Sequence, residues 1–589
     1  MNLPQRCLPA LLALALLFVL RTGAFDLNYN ASGNPAHWSI ATPDTGISTN
    51  VFDRNTHAIR FYVASDAYST TNTAAEINAV RNCFGQWQSV PNTIIKFEDA
   101  GLARANYDVN TADNSNVVYW AKSSTLVNGG HDNISGALGV TFATYSVPSN
   151  VIQQFDIVLN GVEQGWFTDF NDAANPRFFV EGTLTHEIGH SLGAAHSAMG
   201  GATMLYAGSF GIGAQAALTA DEVAFARTLY PAANILSTLA NLKGTVTKNG
   251  SSVLGAVICL EGTNGILTTS TVSLTNGSYR INGVPPGSYN VRVTPLDPAA
   301  ASAWLIRGSD VQNPQLNNAD TAFLPTINYP VSLTAGSTNT LNLAVTNGTP
   351  AFRITLVRQP SSNPGSYSIG SLPCALTAGQ SNYMIGVFSD TLPTSGASVL
   401  VTGDGLTLGS PTYQPGTVFA GLNGISFSIS VASNATPGLR SFLVQSGTNR
   451  AYANGFVKLL PGVPDYNFDS LDDRFQRRYF FPFTQTNAAP SADPDGDGFN
   501  NLAEYIAGTI PTNATSALKL QSISKAANGT TVTWQSVSGK RYQLQSRTAL
   551  PTSTWQNTGS VVTAVGATAQ WLDASGISGQ RFYRVQVLP

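Results

Sequence analysis

The sequence predicts a multidomain chain in which one α+β domain is followed by a series of all-β sandwich modules. Three observations carry this expectation. At 589 residues the chain is too long for a single hydrophobic core. Helix-period hydrophobic patterns mixed with strands are concentrated before about residue 235. Beyond that point short alternating strands are punctuated by Asn-Gly and Pro-Gly turns, as in NGSYRINGVPPGSYNVRV. The composition agrees with a turn-rich β protein. Only 11% of residues are charged, the formal net charge is −3, and there is no basic patch for nucleic acid.

The N-terminus reads as a secretory signal over residues 1–24. Arg6 precedes the apolar run LPALLALALLFVL, which is short for a membrane span, and Thr22-Gly23-Ala24 offers small side chains for cleavage after Ala24. No later segment is apolar enough over a sufficient length to span a bilayer. The expected location is therefore secreted or extracellular, including the cell surface. Cys7 leaves with the signal, and Cys83, Cys259 and Cys374 are an odd number spread far apart. Disulfides are not expected to hold the protein together.

Residues 25–235 form the α+β domain. Strands are expected at AIRFYVAS, IIKFED, NVVYWA, LGVTFATYS and QFDIVLNG. Between the first two, Ile77, Val80, Phe84 and Trp87 make a helical stripe around Cys83. A second helix is expected over 181–193. A third begins at LTADEVAFARTLYP, where Thr219 and Glu222 make a capping box and Pro231 stops it.

The stretch TLTHEIGHSLGAAHS carries the chemistry. On a helix, residues four apart share a face, so His186 and His190 can present two imidazoles to one metal. Gly193 permits a left-handed turn, after which the chain can fold His196 back as a third nitrogen. Three neutral imidazoles with one position left open is the layout of catalytic zinc rather than structural zinc. Zinc lowers the pKa of bound water to about 7, and Glu187, beside the ligands, is placed to take that water's proton and return it to a leaving amine.

HEIGHSLGAAH resembles the long zinc signature of the metzincin metalloendopeptidases, and Ser197 directly after the third histidine is matrixin-like. Met204, eight residues beyond His196, stands at the interval of the matrixin methionine turn, and the Thr219–Pro231 helix resembles the closing helix of that family. The likeness covers roughly residues 57–231. It implies a zinc-dependent endopeptidase acting on extracellular proteins or peptides, which would bind as an added strand along 136–146. A side-chain pocket would be walled by YAGSFGIGAQAAL after Met204. Two departures stand out. Only His131 lies where matrixins carry a second zinc, so no second zinc is expected, and no cysteine between Phe25 and His57 could hold the enzyme latent. Tyr206 leaves two readings open. Met204-Leu205-Tyr206 has the Met-x-Tyr spacing of astacins and serralysins, where the phenol can reach the metal and stabilise the transition state. Alternatively, the ring packs beneath the cleft as scaffold.

The downstream modules follow in order. Residues 236–346 resemble the carboxypeptidase regulatory-like β-sandwich, and 347–460 look like an Ig-like domain with PGLRSFLV as a strand entry. Residues 461–515 form a linker containing an EF-hand-like or dockerin-like loop, and 516–589 look like a last β module. In DPDGDGFNNLAEY, the residues Asp493, Asp495, Asp497, Phe499 (through its carbonyl), Asn501 and Glu504 stand at the ligand positions of an EF-hand Ca²⁺ loop, with Gly498 at the turn. Upstream, Asp465, Asn467 and Asp469 repeat the offsets, but the loop ends in Gln476. The competing reading of the whole chain is an adhesive, matrix-binding or carbohydrate-binding protein with a vestigial peptidase domain, in which Trp534 and Trp555 could stack on sugars. A relic would have lost Glu187 or a ligand, and none is lost.

Overall fold

The computed structural model describes residues 27–588 apart from 31–32, 173–176, 209–214, 301–304, 312, 359–370, 372, 417–420, 552 and 576–578. The expected signal and its cleavage point lie outside the described residues, as does the middle of the stretch that follows Met204. The chain forms two compact units, Met1–Gly462 and Val463–Pro589.

The first unit begins with a twisted sheet whose strands run Phe97–Ala103, Ala58–Ala64, Val117–Ala121, Ile152–Asn160 and Gly139–Tyr145 across its width. The first four are mutually parallel, and Gly139–Tyr145 is added antiparallel at the edge. Ile152–Asn160 is almost wholly buried, as a parallel strand covered on both faces should be. The IIKFED strand starts three residues later than the sequence suggests and runs on to Ala103. Its first residues are committed elsewhere: the Ile94 N–H donates to the Tyr230 carbonyl at 2.9 Å.

Helix α1 (Thr73–Gln88) lays Ile77, Val80, Phe84 and Trp87 into the core, and Phe84 stacks on Phe61 of the sheet. Its polar residues then locate helix α2 (Val180–Ser191). Asn82 and Gln86 donate to the buried Glu181 carboxylate at 2.9 and 3.0 Å, and the Trp87 indole donates to the Thr185 carbonyl. The far end of α2 is closed by the N-terminal segment and by helix α3 (Ala220–Leu229). Trp38 donates to the Ser191 carbonyl and the Tyr230 hydroxyl to that of Leu192. Helix α3 starts with the expected capping box of Thr219 and Glu222.

The β segments that follow share one framework. Strands Ala256–Gly262, Leu267–Val272 and Gly287–Pro295 stand in the same eight-stranded sheet as Gly438–Ser446 and Asn449–Leu459, joined where Leu267 pairs with Leu439. Ala198, Met199, Ala202 and Leu205 from the α+β segment belong to one apolar core with Val257 and Leu316 from the second segment and Phe442 and Phe456 from the third. Cys83, Cys259 and Cys374 are buried thiols outside any disulfide.

In the second unit, two small sheets built around strands Gly529–Gln535 and Arg541–Arg547 enclose Trp534 and Tyr542. Trp534 is thus a core residue, and the guanidinium groups of Arg547 and Arg584 lie over the Trp555 ring at 4.5 and 4.6 Å. Among the described residues no helix is long and apolar enough to cross a membrane.

Gly200 marks one of the tight passages of the first unit. Its N–H donates to the Asn454 carbonyl, and a Cβ at this position would overlap the Phe456 ring. Gly200→Ala should therefore destabilise the first unit by about 1–3 kcal/mol, the usual cost of overpacking a filled core. The measurement is the denaturant midpoint of the full chain, followed by intrinsic fluorescence.

Candidate active site

Helix α2 places His186 and His190 one turn apart on its cleft-facing side, and the chain reverses at Gly193 (φ +93°) to bring back His196. A side chain at Gly193 would strike the Ala36 carbonyl, so the turn needs glycine both for its dihedral and for space. The three rings lie with centroids 4.7, 5.0 and 5.2 Å apart.

Their hydrogen bonds fix their tautomers. His186 Nδ1 donates to the Thr203 carbonyl at 2.8 Å, His190 Nδ1 to Ala194 at 3.0 Å and His196 Nδ1 to Asp310 at 2.9 Å. A carbonyl can only accept, so each Nδ1 carries the proton and each Nε2 presents a lone pair. The Nε2 atoms of His186 and His190 are 3.0 Å apart with no proton between them. Two lone pairs at that distance repel unless a cation lies between, and tetrahedral Zn–N bonds of about 2.0–2.1 Å would hold nitrogens about 3.3 Å apart. Burial drives all three imidazoles to the neutral form that a metal requires: His186 falls to about 4, His190 to about 3, and His196 lies well below its ordinary value. The donor set fits zinc.

Glu187 is buried beside the edge strand. The Thr141 hydroxyl donates to its carboxylate at 2.7 Å, and Gly139 has no side chain where a Cβ would come within 2.9 Å of Glu187 Cγ. Burial raises this carboxyl to about 7. Met204 has its sulfur against Gly189 of helix α2, between His186 and His190, where there is no side chain to obstruct it. Its carbonyl accepts from the Ser197 N–H at 2.7 Å, and its N–H donates to Glu222 of α3 at 3.0 Å. Tyr206 lines the same cleft and packs against the shared core, its ring centroid 6.3 Å from that of His196. The cleft has a volume of about 730 Å³ and runs between the edge strand and the Leu205–Gly208 wall, where the Gln215 amide donates to the Ala207 carbonyl.

The other histidines stand apart. His131 is exposed, while His37 and His57 are held by the Pro35 and Ile40 carbonyls. Thr141 and Asp310 were not singled out by sequence reasoning. Thr141 sits in the edge strand already expected to face the cleft, so its spacing from Gly139 was an available signal. Asp310 carries none, because it acts through its backbone carbonyl 114 residues beyond His196.

In the second unit, Asp493, Asp495 and Asp497 converge. Asp493 also accepts from the Gly496 and Gly498 N–H groups, which wraps the loop around it. The Asn501 amide donates to the Asn487 and Ala489 carbonyls, leaving its buried Oδ1 unbonded, as are Asp495 Oδ2 and the buried Glu504 Oε2. Burial, and then the three aspartates, raise Glu504 to about 7. Unbonded oxygens of this kind fit a hard cation. The upstream loop is filled from within. The Gln476 amide donates to Asp469 at 2.7 Å and Asn467 donates to the same carboxylate at 2.9 Å, so two side-chain amides supply the hydrogen bonds there.

No curated protein matches the chain. Solved structures similar to it include a Bacteroides ovatus mixed-linkage glucan utilization locus protein, SGBP-B, in complex with a mixed-linkage heptasaccharide (13% identity, 38% of this chain and 40% of that one, TM-score 0.13). Others are the full-length major pilin SpaD from Corynebacterium diphtheriae (9%, 57% and 80%, TM-score 0.14) and the Bacillus anthracis TIE protein (10%, 38% and 51%, TM-score 0.13). The chain thus spans less than half the length of the first, and likenesses this faint say nothing about function. Family models are more telling. Residues 53–231 match the matrixins, a family of zinc metallopeptidases, and residues 241–346 match the carboxypeptidase regulatory-like domain. By these matches the chain carries a matrixin domain followed by a carboxypeptidase regulatory-like domain.

Proposed function

We propose that the protein is a secreted zinc-dependent endopeptidase that hydrolyses extracellular proteins or peptides. The observation that carries this reading is the convergence of three Nε2 lone pairs, on half-buried His186 and buried His190 and His196, beside the Glu187 carboxylate. His186, His190 and His196 would hold the metal. When bound, zinc supplies a Lewis acid that acidifies water to a pKa of about 7 and polarises a carbonyl. Glu187 takes the proton of the attacking water on its carboxylate and returns it to the leaving amine nitrogen. Thr141 orients that carboxylate, and Gly139 leaves the space it occupies. The substrate would pair with the free edge of Gly139–Tyr145, which lines the cleft as the outermost strand of its sheet.

Glu187→Ala should keep zinc and lose about 10²–10⁴-fold in peptide-bond cleavage. Metal analysis together with a casein or gelatin assay, with and without chelator, checks both halves. Turnover at the wild-type rate in this variant would remove Glu187 from the mechanism.

For Tyr206 the packed position favours a scaffold role. Tyr206→Phe should accordingly leave kcat unchanged. A parallel fall of kcat and kcat/KM by about 10-fold or more would instead assign the phenol to the transition state.

The Asp493–Glu504 loop would bind a structural Ca²⁺, with Asp493, Asp495, Asp497, Asn501, Glu504 and the Phe499 carbonyl as ligands. Affinity should be modest, about 10⁻⁴–10⁻³ M, as in other extracellular modules. Added calcium should raise the melting temperature of the second-unit transition in the wild-type chain and leave Asp495→Ala unaffected. Equal responses of the two chains would mark the loop as a polar turn.

A further inference from the structure

Two of the three candidate ligands are oriented by carbonyls of their own segment, Thr203 and Ala194. The third is not. His196 Nδ1 donates to the carbonyl of Asp310, which lies within the matched range of the carboxypeptidase regulatory-like domain. We propose that this module is part of the metal centre, with Asp310 as a positioning residue that fixes the His196 imidazole. The proposal rests on the reading of His186, His190 and His196 as metal ligands.

The turn bearing Asp310 is built for fixity. The Asp310 carboxylate accepts from the Arg307 N–H at 2.8 Å and from the Arg307 guanidinium at 3.1 Å through each oxygen. The Asp310 N–H in turn donates to the Arg307 carbonyl at 3.0 Å. Leu305, Ile306 and Val311 on either side are buried in the same core as Ala198 and Met199, so the turn cannot shift without opening that core.

The segment after His196 is linked to the same module by a separate route, through Asp221 of helix α3. The Ser197 hydroxyl donates to buried Asp221 at 2.6 Å, and the other Asp221 oxygen accepts from the Thr269 hydroxyl at 3.0 Å and the Ser270 N–H at 2.8 Å. The ring is therefore held directly by the module, and the segment after it is tied to the module through Asp221 of helix α3. A ligand imidazole whose second nitrogen is bonded keeps one tautomer and one orientation, and losing such a partner typically costs about 10–100-fold in metal affinity.

The test compares zinc affinity of the full chain by competition with a chromophoric chelator, and the visible spectrum of the Co²⁺-substituted protein. Asp310→Ala and Arg307→Ala should weaken zinc by about 10–100-fold and shift the Co²⁺ bands. Asp310→Asn, which keeps an acceptor for the Arg307 N–H, should restore most of the affinity. Arg307→Lys keeps the charge but not the two-pronged geometry, so it should fall between and serves if an alanine variant does not fold. Folded Asp310→Ala with wild-type zinc affinity and an unaltered Co²⁺ spectrum overturns the positioning role alone. A wild-type chain that binds no zinc overturns the reading of the three histidines, and this proposal with it.

Discussion

Crowding three neutral imidazoles together with their lone pairs aimed at one point is unfavourable by itself, and much of the first unit exists to enforce it. Each Nδ1–H must find a fixed carbonyl, or its ring would turn and hide its lone pair. The carbonyls come from the methionine turn, from the end of the Gly193 reversal and from the module beyond the closing helix. Each of those has its own anchor: Glu222 for the methionine turn, the Ala36 approach for the reversal and Arg307 for the third. Low-dielectric surroundings make the convergence costly without a cation and give a bound cation correspondingly strong retention.

The Glu187 carboxylate beside the three histidines obeys the same constraint from the other side. A carboxylate in a dry site needs a donor and room, and the edge strand gives both, through Thr141 and through the missing side chain at Gly139. That strand is also the free edge of the sheet, with a row of backbone groups not paired within it. One short element thus orients the Glu187 carboxylate and offers the surface along which an extended peptide would lie.

Much of this was legible in the sequence where the cause was local. The spacing of His186, His190 and His196, the glycine that reverses the chain, the Thr219 capping box and the stripe of α1 all follow from helical period and turn chemistry, and each lies within a few residues of its effect. The IIKFED strand slipped because its first amide is claimed by Tyr230, a partner far along the chain. The upstream Asp465 loop kept the offsets of a cation site, yet Gln476 turns its amide inward, which the departure at the last position had signalled. What could not be read were contacts made through the main chain, since a carbonyl carries no residue identity. Nor did the boundaries between repeating β segments reveal that Leu267 and Leu439 would join two of them into one sheet.

The shared core also imposes an order in time. A chain made from its N-terminus completes helix α2 and all three histidines long before Asp310, and longer still before Asn454 and Phe456, which close over Gly200. Until those later residues exist, Met199 and its neighbours lack much of their core and the third imidazole has no acceptor from the module. The cleft therefore reaches its final geometry only after most of the first unit has been synthesised. A nascent or truncated chain passes through a stage in which the signature histidines are present without their full support, which separates the making of the motif from the making of the site.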